Sequence, residues 1–185
     1  MEIKVPWLFE VSRVPSITSP RSPTSISSTK ALSAETNLSS VVGGAIDFRA
    51  PPNYIFLPHW MMHALNLKPL DVVSVVAKYD TPPGASVKLR PHSAEFAKIR
   101  NHQAVLETEL KHYSALTKGS TIPFDYLGKQ FLFDVIDLRS APRNEKVAMA
   151  KVQDCDLVAE FVRSKEDIEI LKEKRRKAML EKEEE

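Results

Sequence analysis

Two histidines in residues 57–69 have a spacing that could bind a metal ion. His59 and His63 are four residues apart, so one helix face would present both to zinc, as in the H-E-x-x-H motif. Trp60 occupies the position of that motif's glutamate, and the sequence shows no third ligand. The pattern therefore favours two histidines beside a core tryptophan over a metal site, and we predict neither a metal nor a cofactor.

The single cysteine, Cys155, is the candidate nucleophile of the chain, and five histidines are available as bases. No local catalytic signature surrounds it, and a lone cysteine is usually a small buried side chain. We therefore predict a protein that is not an enzyme. A hydrolase that depends on Cys155, or on a metal at His59 and His63, is an alternative.

Composition excludes several classes of partner. The net charge is +2, so no strong field favours nucleic acid or a membrane surface. No apolar run approaches the ~20 residues that a membrane span needs. Only 5 glycines are present, and neither phosphate-binding glycine motif occurs. A single cysteine cannot form an internal disulfide, which fits a reducing compartment.

Residues 12–40 differ from the rest of the chain, because they contain ten Ser, four Thr and three Pro with one acidic residue. Such a segment buries too little apolar surface to offset its ordering entropy, so we predict a disordered or long loop. Its Ser-rich, acid-poor composition also suits an organelle transit segment, which stays open as an alternative.

Hydrophobic patterning predicts the elements on either side of this segment. In the first half we expect strands at 5–11, 45–48 and 54–57, a short apolar helix after Pro58, and a largely buried valine-rich strand at 71–79.

In the second half, Val87 and Leu89 alternate with charged residues, as in a half-buried strand. A helix should begin after Asn101 and end near Gly119. Strands at 122–126 and 130–138 should form a hairpin, with further strands at 147–152 and 157–162. Ser164 and Asp167 resemble a capping box ahead of a charged helix at 163–185.

Several strings together resemble the ubiquitin fusion degradation family. The most specific is Leu57-Pro58-His59-Trp60-Met61-Met62, which is similar to the family's Leu-Pro-x-Trp-Met-Met element. The others are Val5-Pro6-Trp7-Leu8-Phe9-Glu10, Gly44-Ala45-Ile46-Asp47-Phe48, the segment 83–93, the helix from Ala104 through Leu116-Thr117-Lys118-Gly119, and Asp154-Cys155-Asp156. The resemblance covers about 41–162 and the first eleven residues.

The resemblance implies a mixed β and α+β fold of two lobes. A double-psi β-barrel lobe would occupy 41–90 together with the first strand in 1–11, and a small α/β roll lobe would occupy 91–162. The 12–40 loop and the charged helical tail at 163–185 complete this division. The family carries further residues before its equivalent of Val5, so an incomplete barrel is part of this expectation.

The family's activity implies a non-catalytic adaptor that binds ubiquitin or polyubiquitin in ubiquitin-dependent protein catabolism, including degradation at the endoplasmic reticulum. Its partners are the nuclear protein localisation cofactor and the valosin-containing AAA ATPase. The family's docking tail is not seen after 163–185, so we expect weak or no direct ATPase binding. The implied location is cytoplasm or nucleus, and an organelle-targeted paralogue acting in protein import in a plastid-type organelle is the alternative. Because grooves between lobes often bind ligands, we take Lys88, Arg90 and His92 as candidate binding residues in an interlobe cleft.

Overall fold

The computed structural model describes residues 7–14 and 38–183. The predicted loop or transit segment at 12–40 lies mostly outside these residues, as does the start of the strand predicted at 5–11. Both possibilities for that segment therefore stay predictions.

The described residues contain short strands, two longer ones and few helices. The elements of the first half are β1 (Leu8–Arg13), β2 (Ser40–Gly44), α1 (His59–Ala64) and β3 (Val73–Ala77). Those of the second half are β4 (Gly84–Pro91), a 3-10 helix (Ala94–Lys98), α2 (His102–Leu110), β5 (Ala115–Thr117), β6 (Thr121–Tyr126), β7 (Lys129–Ser140), β8 (Glu145–Lys146), β9 (Met149–Lys151), β10 (Val158–Phe161) and α3 (Lys165–Glu183).

The first lobe is an open antiparallel sheet in the order β2-β1-β3. Val11 and Val41 face α1, where they pack with Met61, Ala64 and Leu65. The short apolar helix predicted after Pro58 is therefore confirmed as a packing element of this lobe. The described residues form a mixed α+β structure, and their strands do not close into a barrel.

The strands expected at 45–48 and 54–57 are wrong, because both segments are irregular loop. The Asp47 side chain accepts a hydrogen bond from the Arg49 N–H at 3.1 Å, a local bond that competes with ladder pairing. The Tyr54 N–H donates to the Pro51 carbonyl at 3.1 Å, which closes a turn. Local hydrogen bonds thus replace the sheet in both places.

The burial predicted for the valine-rich strand is also wrong, although the strand itself exists as β3. Val75 is 43% exposed and Val76 is 56% exposed. β3 is the edge of the three-stranded sheet among the described residues, with β1 as its partner. β-branched side chains specify an extended backbone, but an edge position leaves them open to solvent.

The second lobe is a mixed sheet in the order β10-β4-β7-β6, with β8 added beside β7. β10 pairs with β4 in parallel, and the other pairs are antiparallel. β4 therefore belongs with the second sheet, although the sequence boundary at residue 90 placed it in the first lobe. Its core has a cluster of aromatic rings in which Phe96 and Phe133 lie 4.6 Å apart edge to face.

The hairpin of β6 and β7 confirms the sequence prediction. Leu127 and Gly128 form its two-residue turn with φ angles of 49° and 75°. Positive φ at both positions is what a type I′ turn requires, and glycine accepts it without steric cost.

The helix predicted after Asn101 is confirmed as α2, and its Leu106 and Leu110 are buried. The predicted end of this helix near Gly119 is wrong, because α2 stops at Leu110. Residues 115–117 form β5 instead, pair with β9 and are all buried. Pairing with a distant strand overrides the local continuation of the helical pattern.

The two lobes pack directly against each other. The Val42 N–H of β2 donates to Thr117 Oγ1 of β5 at 3.0 Å in a buried bond. The half-buried Trp60 of α1 lies edge to face on Tyr113, with ring centroids 5.9 Å apart. Trp60 therefore joins the cores of the two lobes.

The capping box at the start of α3 is confirmed. The Asp167 N–H donates to Ser164 Oγ at 3.0 Å, and the Ser164 hydroxyl donates to the Asp167 carboxylate at 2.7 Å. Every residue from 169 to 177 is exposed, which confirms the solvated charged helix. No helix in the described ranges is both long enough and apolar enough to cross a membrane.

Candidate binding surfaces

His59 and His63 both lie on exposed positions of α1. Within residues 7–14 and 38–183, no group of three or more His, Cys, Asp or Glu side chains is arranged to hold a metal ion. The helical spacing of the two histidines is thus real, but the structure brings no third ligand to them.

Cys155 is half-buried in a turn between β9 and β10. Its Sγ lies 3.5 Å from the carbonyl oxygen of Gln153, with which it makes a local hydrogen bond. No histidine accepts a hydrogen bond from this thiol in the described part of the chain. Its described contacts do not supply the base that a cysteine nucleophile needs.

Lys88, Arg90 and His92 follow one another on the same side of β4 and its extension. Strand alternation places Val87 and Leu89 on the opposite side, in the core. The sheet side that carries the three polar residues is here called the outer face. The structure therefore brings the three candidates together on the second lobe. The contacts between lobes described above involve β2, β5 and Trp60 instead.

Lys88 belongs to a row of charges that crosses three strands. Its Nζ lies 3.2 Å from Glu160 on β10, and Asp137 on β7 is its partner in register. Asp137 is held by Lys118 at 3.4 Å and by Arg139 at 3.6 Å. Burial opposes the charge of Asp137, but the bond from Lys118 keeps the pKa of this carboxyl below its ordinary value.

Asp134 is the centre of a second charged group on the outer face. Its Oδ1 accepts hydrogen bonds from His92 Nε2 at 2.7 Å and from the Thr121 hydroxyl at 2.8 Å. Its Oδ2 lies 2.8 Å from Lys165 Nζ at the start of α3. Burial alone would raise the pKa of Asp134, but the bonds from His92, Lys165 and Thr121 outweigh it and lower the pKa to about 2.

The contact of Asp134 with Lys165 and two bonds of Glu166 together fix the beginning of α3. The Glu166 N–H donates to the His92 carbonyl at 3.3 Å, and the Glu166 carboxylate accepts a bond from the Ala94 N–H at 2.7 Å. Together with the Lys165 contact, these bonds attach the first turn of the helix to β4 and β7.

Arg90 lies between these two groups and differs from the cations around it. It is in register with Asp134, yet among the described residues no carboxylate forms an ion pair with it. Its Nε is buried and has no hydrogen-bond partner there. Arg90 is therefore the cation of this face that has hydrogen-bond donors without acceptors in the described structure.

A second surface, which the sequence did not predict, lies in the loop before α1. Its apolar side chains point to solvent: Ile46 is 101% exposed, Phe56 80% and Phe48 67%, with Tyr54 and Ile55 beside them. We call these five residues the first-lobe apolar surface. No local signal could have found this surface, because apolar residues beside a turn predict a strand as readily as an exposed loop.

Comparisons with known proteins agree with the sequence motifs. The family profile described as "Ubiquitin fusion degradation protein UFD1, N-terminal subdomain 2" matches residues 83–164, which begin just before β4. The match thus follows the second sheet as the structure defines it.

Individual relatives extend the similarity into the first lobe. Ubiquitin fusion degradation protein 1 of Schizosaccharomyces pombe is 37% identical over 119 residues, which are 64% of this chain and 34% of the relative. The homologue from Caenorhabditis elegans is 41% identical over 98 residues, 53% of this chain and 28% of the relative. The human protein named "Ubiquitin recognition factor in ER-associated degradation protein 1" is 32% identical over 124 residues, which cover 64% of this chain and 36% of the relative.

The chain spans about a third of the length of these relatives. Residues 83–164 match the family profile, and the relatives are similar to this chain in both lobes. The chain is therefore similar to the ubiquitin fusion degradation protein 1 family.

Proposed function

We propose that this protein is a non-catalytic adaptor that binds ubiquitin or polyubiquitin in ubiquitin-dependent protein degradation. The names of its relatives support this role, because they refer to ubiquitin fusion degradation and to ubiquitin recognition. Its clients would pass to the valosin-containing AAA ATPase, with the nuclear protein localisation cofactor as a further partner. The proposed location is the cytoplasm or nucleus.

The observation that carries ubiquitin binding is the first-lobe apolar surface. Ubiquitin presents a modest apolar patch surrounded by basic residues, so its receptor needs exposed aliphatic or aromatic anchors. Ile46 and Phe56 are such anchors, because both are more than three-quarters exposed. Large exposed apolar side chains gathered in one loop are typical of interaction sites in soluble proteins.

The lobes would contribute differently to this function. We propose that residues 7–14 and 38–82 form the ubiquitin-facing lobe and correspond to part of a double-psi β-barrel, with α1 supporting its sheet. The α/β roll lobe would begin at residue 83 rather than at 91, since β4 pairs with β7 and β10. Residues 163–185 remain the helical tail in this division.

Binding of labelled tetraubiquitin, followed by fluorescence anisotropy, tests the proposal. The double variant Ile46→Ser with Phe56→Ser should weaken binding by about tenfold or more, because apolar anchors at an interface dominate its affinity. Leu127→Ser is the matched control, since Leu127 is an equally exposed aliphatic residue on the second lobe. Its affinity should stay within about twofold of the unmodified protein.

A folded double variant with unchanged affinity would contradict the placement of the ubiquitin surface. Calorimetry with polyubiquitin and with the ATPase, each alone, would test the proposed ubiquitin binding and the expectation that direct ATPase binding is weak or absent. Absence of ubiquitin binding in the unmodified protein would contradict the proposed function itself.

A further inference from the structure

We propose that the outer face of the second sheet is a separate binding surface, which takes an acidic segment of a protein partner onto Arg90. This surface is independent of the first-lobe apolar surface and of the ubiquitin binding assigned to it. Three features support it: the ion pairs of the face, the hydrogen bonding of Arg90 and the sign of the remaining charge.

The carboxylates nearest to Arg90 on the outer face are already paired with cations. Glu160 is paired with Lys88, Asp137 with Lys118 and Arg139, and Asp134 with Lys165. These groups comprise five cations when Arg90 is added: Lys88, Arg90, Lys118, Arg139 and Lys165. Against three carboxylates they leave two positive charges, before any contribution from His92.

Arg90 forms no ion pair with its neighbour in register. Both oxygens of Asp134 are engaged by other groups, Oδ1 by His92 and Thr121 and Oδ2 by Lys165. The guanidinium has five N–H donors and no acceptor, so it depends on oxygens supplied by other groups. Its Nε is buried and has no partner among the described residues, so a docked group would reach only the terminal nitrogens of the guanidinium.

A carboxylate from a partner would supply the acceptor that Arg90 needs. Arginine and carboxylate groups form short, charge-assisted and often bidentate pairs. Arg90 is on the central strand β4, between β10 and β7, so a docked segment would also meet their exposed side chains. Val158 and Leu132 lie on this same face and are 58% and 40% exposed, which provides apolar contacts beside the charged centre.

The excess positive charge of the outer face argues against ubiquitin's apolar patch as the group that binds there. That patch is ringed by basic residues, which the excess positive charge of the outer face would repel. An acidic segment has the complementary sign. Nucleic acid is also anionic, but the carboxylates interleaved with the cations would repel successive phosphates, so we commit to an acidic protein segment.

The test uses the full chain and a short fluorescein-labelled peptide in which glutamate alternates with leucine. Anisotropy should show binding that falls by about tenfold when glutamine replaces the glutamates, and that weakens as salt is raised. Arg90→Gln should cause a similar loss of about tenfold. Arg143→Gln is the matched control, because it removes the same charge from an exposed position of the second lobe.

Two further measurements distinguish a specific arginine site from general charge attraction and from the ubiquitin surface. Arg90→Lys keeps the charge without the planar fork, and should recover only part of the affinity. Arg90→Gln should leave tetraubiquitin binding unchanged. Thermal unfolding of each variant checks that it is folded.

Several outcomes would overturn the proposal. The unmodified protein could fail to bind the glutamate peptide, or Arg143→Gln could lower its affinity as much as Arg90→Gln. An oligonucleotide bound as tightly as the peptide, and with the same dependence on Arg90, would indicate a general polyanion surface instead. A parallel loss of tetraubiquitin binding in Arg90→Gln would show that the two surfaces are one.

Discussion

Replacing Asp134 with asparagine removes the carboxylate shared by His92, Thr121 and Lys165. The amide has almost the same shape, so the change tests the charge rather than the packing. It leaves Lys165 without its anionic partner and gives His92 a weaker acceptor. We therefore expect a loss of stability that originates at the junction of β4, β7 and α3.

The magnitude follows from the pKa of the carboxyl. A fall from 3.8 to about 2 corresponds to about 2.4 kcal/mol of preference for the charged form in the native state. The Lys165 side chain is 43% exposed, so solvent screening reduces the part that this ion pair contributes. We expect the free energy of unfolding to fall by about 1–2 kcal/mol at pH 7.

The dependence on pH provides a second check. Because the native pKa of Asp134 lies below its unfolded value, its contribution is complete above about pH 5 and is lost as pH falls toward 2. The difference between the two proteins should therefore shrink to about half at pH 3. Urea denaturation at pH 7 and pH 3, followed by tryptophan fluorescence and by circular dichroism, measures both values.

Asp125→Asn is the matched control, since Asp125 is an exposed aspartate on the neighbouring strand β6. It should change the free energy of unfolding by less than about 0.5 kcal/mol. A loss for Asp134→Asn that is equally small at pH 7 would refute the role of the shared carboxylate. A loss that is the same at pH 3 as at pH 7 would show that packing, not charge, is responsible.

Three further substitutions test other parts of the structure. Ser164→Ala removes the side-chain cap of α3 and should cost about 1 kcal/mol, with reduced helical ellipticity by circular dichroism. Gly84→Ala would place a Cβ 2.8 Å from Leu157 Cδ1 and 3.0 Å from a backbone oxygen, so we expect a loss of about 1–3 kcal/mol in urea denaturation. Trp60→Ala should cost about 2–3 kcal/mol in the same assay, toward the low end for tryptophan, because Trp60 is only half-buried between the lobes and against Tyr113.

Controls and contrary results for these substitutions follow from the same contacts. Ser164→Thr keeps a capping hydroxyl and should retain most of the stability, and equal ellipticity in both variants would contradict the capping role of Ser164. Gly128→Ala is the control for Gly84→Ala. Gly128 has positive φ but open space around it, so a loss of stability there would come from backbone strain and not from a steric clash. For Trp60→Ala, an undiminished stability would contradict its role in joining the lobes.

Local signals in the sequence were sufficient for part of this structure. The β6–β7 turn, the alternation along β4 and the Ser164 capping box each depend on neighbouring residues, and each was predicted correctly. Lys88, Arg90 and His92 were placed together because alternation alone puts them on one side of a strand. Their surroundings depend on the pairing of β4 with β7 and β10, which no local pattern specifies.

The errors have the opposite origin, because they depend on contacts between distant residues. The helical pattern after Leu110 continues in the sequence, but Ala115–Thr117 pairs with β9. The valines of β3 predict an extended chain equally well at a sheet edge or centre, so their exposure could not be predicted. Likewise, the engaged oxygens of Asp134, and with them the unused donors of Arg90, depend on three separate elements.

The parallel pairing of β10 with β4 has a consequence for synthesis of the protein on the ribosome. Ser86 leaves the exit tunnel about 70 residues before Val158, its partner in register. Throughout that interval, one edge of β4 has no partner from the second lobe, and β7 can add to the other edge only once residue 140 has been made. An unpaired strand of this kind can associate with other chains, and closing so long a loop is slow. The emerging chain is therefore most exposed to aggregation, and most dependent on chaperones, just before the last strand of its sheet is made.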